Sequence, residues 1–172
     1  MNNGREPKTA AHAIYPGSFD PPTLGHLDII RRTAVIFGKL TVAVVVNPQK
    51  REPMFTLGER EEMLRASVAD LPNVQVEHFR GLLADYVKAV EADVIVKGLR
   101  VVSDFETEMS TALMNRSLSK VDTMFFVSDQ KYSFVSSSIV KEVFFLGGDV
   151  AGLVPAPVLK VMELKRTNLV GR

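Results

Sequence analysis

Residues 40–46 read Leu-Thr-Val-Ala-Val-Val-Val, a nearly continuous run of apolar and β-branched side chains. A strand with one face in water alternates apolar and polar residues, whereas a strand covered by helices on both faces is apolar throughout. Shorter runs of this kind recur along the chain and are separated by longer segments with the periodicity of helices. The sequence therefore predicts parallel strands joined by crossover helices, with residues 40–46 as a central strand.

This alternation predicts an α/β fold, a Rossmann-like, doubly wound parallel sheet of five strands with helices on both faces. The predicted strands are residues 13–15, 40–46, 74–79, 94–96 and 123–127. The predicted helices are residues 24–37, 57–70, 82–91, 104–118, 137–146 and 158–167. Thr56 and Glu59 have the spacing of a capping box, so we expect the second helix to begin directly after Thr56.

The length of 172 residues predicts a single domain over residues 1–172. Residues 1–11 are polar and aperiodic and predict a loose tail, and residues 156–172 predict a C-terminal helix. We expect this last helix to dock on the sheet edge or on a neighbouring subunit.

The overall charge argues against nucleic acid and membrane surfaces as partners. The chain has 21 Lys and Arg residues and 20 Asp and Glu residues, which gives a net charge of +1. The absence of cysteine excludes thiolate chemistry. No apolar run approaches the roughly 20 residues that span a bilayer, and no secretory signal is recognisable. We therefore expect a cytoplasmic protein.

A first candidate site lies in residues 15–26, Tyr-Pro-Gly-Ser-Phe-Asp-Pro-Pro-Thr-Leu-Gly-His, between the first predicted strand and helix. Open parallel sheets bind ligands at the carboxyl ends of their strands, where helix N-termini attract anions. Gly17 allows a ligand to approach the backbone, Ser18 offers a hydroxyl, and Gly25 leaves room beside His26, which can donate to a phosphate. A plain strand-to-helix turn with a surface histidine is the alternative.

Cations follow two further predicted strands. Lys50 and Arg51 come after the second strand, and Lys97 and Arg100 flank Gly98 after the fourth. An exposed pair of cations is commonly only solvated charge, and this alternative stays open for Lys50. The recurrence of cations at the same edge of the sheet favours a phosphate site.

A fourth segment, residues 132–138, reads Tyr-Ser-Phe-Val-Ser-Ser-Ser and leads into a predicted helix. Hydroxyls and free backbone N–H groups at a helix start form an anion site, although helix capping alone explains one of the three consecutive serines. The segment therefore predicts a second place for phosphate binding.

These segments resemble the motifs of bacterial phosphopantetheine adenylyltransferases, a family of the nucleotidyltransferase superfamily. Residues 23–26 are similar to its (H/T)xGH signature, residues 97–100 to its (R/K)GLR motif and residues 132–138 to its (W/Y)SF(I/V)SSS segment. Residues 104–108 resemble the family's Asp-Phe-Glu-Tyr-Glu, but Thr107 replaces the tyrosine. The resemblance extends over about residues 14–155.

The resemblance implies reversible transfer of AMP from ATP to 4′-phosphopantetheine, which gives dephospho-coenzyme A and pyrophosphate. The implied catalytic residues are His26, Lys50 and Ser18. The implied ATP contacts are Ser18, Phe19, His26, Gly98, Leu99, Arg100, Glu108, Tyr132, Ser133, Phe134, Val135, Ser136, Ser137 and Ser138. The implied phosphopantetheine contacts are Ser18, Lys50, Leu83 and Lys97.

Mg²⁺ is expected to arrive with the ATP phosphates, and no tight metal site is expected in the protein alone. The resemblance also implies a homohexamer and coenzyme A as a feedback ligand. Two alternatives are a nucleotidyltransferase that acts on nicotinamide mononucleotide or uses CTP, and a regulatory nucleotide-binding module without turnover. Thr23 and the Lys-Gly-Leu-Arg segment disfavour the first, and the presence of both His26 and Lys50 disfavours the second.

Overall fold

The computed structural model describes residues 11–46, 53–100 and 102–170. Within these ranges, five strands form one sheet: β1 (His12–Gly17), β2 (Lys39–Val46), β3 (Val74–Arg80), β4 (Val94–Leu99) and β5 (Asp122–Val127). The helices are α1 (Leu24–Ile36), α2 (Leu57–Ser67), α3 (Leu83–Ala89), α4 (Val102–Ser119), α5 (Ser137–Phe145) and α6 (Ala156–Val170). A short 3-10 helix covers Gln130–Tyr132.

The strand order is β3-β2-β1-β4-β5, and every neighbouring pair is parallel. The chain runs outward from β1 to β3 and then crosses back, so that β4 pairs with the other side of β1. This reversal leaves a crevice at the carboxyl ends of β1 and β4, which is where such sheets bind ligands. The predicted fold class is confirmed, and β2 lies inside the sheet as expected.

Both faces of the sheet are covered. This is visible along β1, where successive side chains point to opposite faces and enter separate buried clusters. Tyr15 belongs to a buried cluster with Ile29 and Ile30 of α1. Ile14 belongs to a second buried cluster with Val87 of α3. This double burial explains why the central strands β1 and β2 carry almost no alternation, whereas β3 at the edge alternates over Val74, Gln75, Val76 and Glu77.

Two strands extend further than their apolar runs predicted. β1 continues through Pro16 and Gly17, which lie in register with Ala43 and Val44 of β2. β4 continues through residues 97–99, which lie in register with β5. Pairing with a neighbouring strand uses backbone groups and can therefore outlast the apolar pattern. Gly17 and Lys97 therefore lie within strands of the sheet and not in the loops that follow them.

Helix α6 packs on α2 and α5 rather than on the edge of the sheet, which corrects the first of the two alternatives. Docking on a neighbouring subunit stays a prediction. It contributes Val158 and Met162 to a buried cluster that also contains Met63 of α2 and Phe144 of α5. Lys165 adds an ion pair with Glu59 at 3.2 Å. Val158 and Met162 of α6 are therefore buried within the chain, whereas Leu164 is 60% exposed.

The single-domain assignment and the loose N-terminal tail stay predictions. Residues 1–10 lie outside the described ranges, and Ala11 already accepts a hydrogen bond from the Lys39 N–H at 3.3 Å. None of the helices in the described part of the chain combines the length and hydropathy that a bilayer crossing needs.

Asn73 provides a test of how the first crossover is held. Its side-chain nitrogen donates to the carbonyls of Ala34 and Phe37, at 2.8 and 2.9 Å, at the end of α1. Asn73→Ala should lower the free energy of unfolding by about 1 to 3 kcal/mol, because both carbonyls lose a donor. Gln75→Ala, which removes an exposed amide from the next strand, should change it by less than about 0.5 kcal/mol in urea denaturation. Equal losses in the two variants would contradict this assignment.

Candidate active site

Two adjoining cavities open at the carboxyl ends of β1 and β4. The smaller has a volume of about 350 Å³ and the larger of about 920 Å³. Their shared lining consists of Pro16, Gly17, Ser18, Lys97, Ser137 and Ser138. A ligand in one cavity can therefore meet a ligand in the other at Ser18 and Lys97.

His26 lies in the first turn of α1 and forms a reciprocal cap with Thr23. The Thr23 N–H donates to His26 Nδ1 at 3.0 Å, and the His26 N–H donates to Thr23 Oγ1 at 3.3 Å. Histidine thus takes the place that Glu or Gln has in the usual capping box. Because a backbone N–H can only donate, Nδ1 must accept, and the neutral ring carries its proton on Nε2. His26 lines the smaller cavity, and Nε2 is the ring nitrogen that does not bind Thr23.

Aromatic side chains enclose the imidazole. The Phe19 ring lies edge-on to His26 with the ring centres 5.0 Å apart, and the Tyr15 ring lies beside both, 5.7 Å from Phe19 and 6.5 Å from His26. Burial, with a further contribution from the Arg100 guanidinium, lowers the pKa of His26 to about 4. His26 is therefore a neutral hydrogen-bond donor at neutral pH.

Gly17 and Gly25 both leave room for an aromatic neighbour. A Cβ on Gly17 would lie 2.8 Å from the Phe19 ring, and Gly17 also lines both cavities. A Cβ on Gly25 would lie 3.5 Å from Tyr132 Cβ. Phe19 itself is 1% exposed, at a positive φ of 47°. Phe19 lines neither cavity.

Lys97 and Glu108 form an ion pair at the boundary between the cavities. The Lys97 ammonium lies 3.2 Å from Glu108 Oε2. This oxygen is buried, yet no donor within the described residues makes an aligned hydrogen bond to it. Arg100 lines the smaller cavity and donates to the Val135 carbonyl at 3.4 Å. Lys97 lines both cavities, so its ammonium group can engage a ligand in either of them.

The three consecutive serines at the start of α5 make different contacts. Ser136 caps the helix by accepting from the Ile139 N–H at 3.2 Å, and the Ser137 hydroxyl donates to the Pro21 carbonyl at 2.8 Å. The Ser138 side chain lines both cavities. Capping and tethering therefore account for two hydroxyls, where the sequence suggested one.

Several residues implicated by the sequence lie beside the cavities rather than in their walls. Leu99, Tyr132, Ser133 and Phe134 line neither cavity. Phe134 is 61% exposed, and the Ser133 hydroxyl donates to the Gln130 carbonyl. Leu83 does line the larger cavity, together with Val45, Phe79 and Leu82. Lys50 lies outside the described residues.

Comparison with known proteins identifies the family. A family model described as cytidylyltransferase-like matches residues 14–143. The phosphopantetheine adenylyltransferase of Natranaerobius thermophilus is 49% identical over 156 residues, which cover 90% of this chain and 96% of that protein.

The chain belongs to the phosphopantetheine adenylyltransferase family. The protein of the same name from Heliobacterium modesticaldum is 52% identical over 89% of this chain and 91% of its own length. The chain is accordingly a nucleotidyltransferase, a class of enzyme that generally uses a divalent metal with its nucleotide.

Solved structures support the fold alone. A putative nicotinate-nucleotide adenylyltransferase from Vibrio parahaemolyticus has a TM-score of 0.62 at 18% identity, and the match covers 89% of this chain and 98% of that one. A bifunctional NMN adenylyltransferase/ADP ribose pyrophosphatase from Francisella tularensis has a TM-score of 0.66 at 14% identity, over 84% of this chain and 45% of that one. Identities this low carry no information about the substrate.

The adenylyltransferase site also contains a charged group that the sequence analysis missed. Asp20, Arg60 and Lys141 all line the larger cavity. Asp20 accepts from Lys141 Nζ at 2.7 Å, and Arg60 Nη1 donates to the Ser18 carbonyl at 2.9 Å. Asp20 directly follows Ser18 and Phe19 in the sequence, but no pattern in a single sequence indicates that it pairs with Lys141.

The protonation state of His26 can be measured directly in this adenylyltransferase. We expect ¹⁵N NMR to show the Nε2–H tautomer at neutral pH and a pKa of about 4, with His26→Asn used to assign the signal. The unfolded chain protonates His26 near its ordinary pKa of about 6.5. Folding stability should therefore fall as the pH drops from that value towards 4. A proton on Nδ1, or titration near pH 6.5, would contradict the proposed cap.

Proposed function

We propose that this chain transfers AMP from ATP to 4′-phosphopantetheine and releases dephospho-coenzyme A and pyrophosphate, reversibly, as its relatives' names indicate. The observation that carries the proposal is the junction of two unlike cavities at Ser18 and Lys97. The smaller, mainly polar cavity takes the nucleotide. The larger cavity, with its apolar wall at Leu83, takes the pantetheine arm.

The chemistry needs no covalent intermediate. An oxygen of the 4′-phosphate attacks the α-phosphorus of ATP in line, the bond to the bridging oxygen of the β-phosphate breaks, and pyrophosphate leaves with that electron pair. A phosphate dianion is already a competent nucleophile, so no general base is required. The protein contributes position and stabilisation of charge.

His26 acts on the α-phosphate. Its Nε2–H donates to a non-bridging oxygen, where negative charge increases as the phosphorus becomes crowded. Thr23 holds the ring in this tautomer before ATP arrives, so the donor needs no reorientation during the reaction. Lys50 is proposed to act at the same centre and on the incoming phosphate.

Phosphopantetheine is held by its phosphate and by its arm. Ser18 orients the nucleophilic phosphate, and Lys97 binds it by exchanging part of its interaction with Glu108. Leu83 contacts the arm in the larger cavity. Both phosphate ligands line both cavities, which supports a role at the reacting centre.

ATP is bound by groups from three strand ends and the start of α5. The proposed contacts are Ser18, Phe19, His26, Gly98, Leu99, Arg100, Glu108, Tyr132, Ser133, Phe134, Val135, Ser136, Ser137 and Ser138. Arg100 and the N-terminus of α5 suit the β- and γ-phosphates, because both present N–H donors to anions. Residues 132–134 contact nucleotide only where it extends beyond the smaller cavity.

Mg²⁺ supplies charge neutralisation for the triphosphate. Asp20 already accepts from Lys141 and two backbone N–H groups, and Glu108 is paired with Lys97. These carboxylates therefore favour an ion held by ATP phosphates and water, in keeping with the reluctance of Mg²⁺ to lose water. No cluster of three metal-ligating side chains occurs among the residues described.

A homohexamer and feedback binding of coenzyme A in the same pocket are part of the proposal. Exposed apolar residues on α4 and on the edge strand β5 support a contact between subunits. Leu113 and Met114 of α4 are 59% and 60% exposed, and Val127 of β5 is 69% exposed. Apolar side chains on an unpaired edge strand are typical of surfaces that bind another chain. The cytoplasmic location remains a prediction.

Pyrophosphate release from Mg-ATP tests the function. We expect turnover with 4′-phosphopantetheine and none with nicotinamide mononucleotide. His26→Ala should lower kcat by roughly 100- to 1,000-fold, since it removes a donor to the reacting phosphate. His78→Ala is the matched control, because His78 lies on the surface beside Glu61.

Three outcomes would contradict the proposal. Turnover with nicotinamide mononucleotide alone would indicate the related adenylyltransferase. ATP binding without turnover would indicate a regulatory module. Full activity of His26→Ala would remove His26 from the reacting centre.

A further inference from the structure

The Asp20 carboxylate lies at a meeting point of three segments. It is 6% exposed and accepts from the Phe55 N–H at 2.9 Å, the Met54 N–H at 3.1 Å and Lys141 Nζ at 2.7 Å. One group thus links the turn after β1, the segment before α2 and the helix α5. None of these hydrogen bonds is required by the secondary structure.

Arg60 extends the same network. It is 5% exposed, and its side chain donates to the carbonyls of Ser18 and Thr56. Burying charged groups costs free energy, and apolar residues of similar volume are often at least as stabilising. A buried charged network beside Ser18 therefore suggests a role beyond stability.

The hydrogen-bond network connects the turn that carries Ser18 with the start of α5. Lys141 lies one helical turn after Ser137, on the same face of α5. The Asp20–Lys141 ion pair therefore runs beside the hydrogen bond from Ser137 to the Pro21 carbonyl. Two adjacent links hold the start of α5, which faces the nucleotide, against the turn that carries Ser18.

We propose that Asp20 is a positioning residue that fixes the Ser18 turn relative to the start of α5. Through this link it keeps the acceptor phosphate aligned with the nucleotide. The inference rests on the proposed function. Asp20 contacts no reacting atom, and it acts through the segments that it joins.

A positioning role and a purely stabilising role of Asp20 predict different values of kcat per folded molecule. A misplacement of about 1 Å at a reacting centre can cost about 100-fold in rate even when substrates still bind. A residue that only stabilises the fold changes the folded fraction, but it leaves the kcat of each folded molecule unchanged. The kcat per folded enzyme therefore distinguishes the two roles.

Asp20→Asn is the sharpest variant because it preserves size. The amide nitrogen cannot accept from a backbone N–H, and the neutral group cannot form an ion pair with Lys141. We expect kcat per folded molecule to fall by about 10- to 100-fold, with both KM values changed by less than about 3-fold. Asp70→Asn is the matched control, since it removes a carboxylate paired with Arg31 at 2.6 Å away from both cavities.

Lys141 provides a second route if Asp20→Asn does not fold. Lys141→Met keeps both backbone bonds to Asp20 and should lower kcat by about 3- to 10-fold, whereas Lys141→Arg should restore most of the loss. Folded enzyme is counted by the amplitude of its thermal unfolding transition. An unchanged kcat in Lys141→Met would then overturn the inference.

The outcomes separate this inference from the proposed function. If the wild-type chain turns over and Asp20→Asn has the same kcat per folded molecule, Asp20 does not position the site. A rise in KM at unchanged kcat would show a binding role instead and would also overturn the inference. If the wild-type chain does not turn over phosphopantetheine, the proposed function fails and this inference fails with it.

Discussion

The hydrogen bond from the Thr23 N–H to His26 Nδ1 is the interaction on which the site depends. It ends the turn after β1, begins α1 and sets the tautomer of the imidazole. Phe19 packs against the same ring, which is possible because Gly17 has no side chain to obstruct it. Burial then keeps His26 neutral. The cap between Thr23 and His26 thus holds the imidazole as a fixed donor for a phosphate oxygen.

The parallel sheet gives this donor its neighbours. Reversal of the strand order between β1 and β4 brings Ser18 and Lys97 to the same edge, although a long stretch of sequence separates them. The start of α5 closes the site from the other side with Ser138. This edge therefore carries two adjoining cavities with shared walls, where a nucleotide and a second phosphate can meet.

The sequence predicts the segments of the site better than their internal contacts. Residues just beyond parallel strands must converge at one edge, so Lys97 and His26 could be placed together from the strand pattern alone. Asp20 and Lys141 are 121 positions apart, and only the folded topology shows that they pair. Likewise, the apolar character of Phe19 reveals neither its positive φ nor its edge-on contact with the imidazole. Strand ends were underestimated where backbone pairing continues past the apolar run, as at Lys97.

A crystal structure with dephospho-coenzyme A would locate both halves of the site at once, because this molecule joins the nucleotide and the pantetheine arm through one diphosphate. We expect the adenosine-side phosphate to lie within hydrogen-bonding distance of His26 Nε2. We also expect adenosine in the smaller cavity and the arm against Leu83 in the larger one. A diphosphate remote from His26, or adenosine in the larger cavity, would contradict this arrangement.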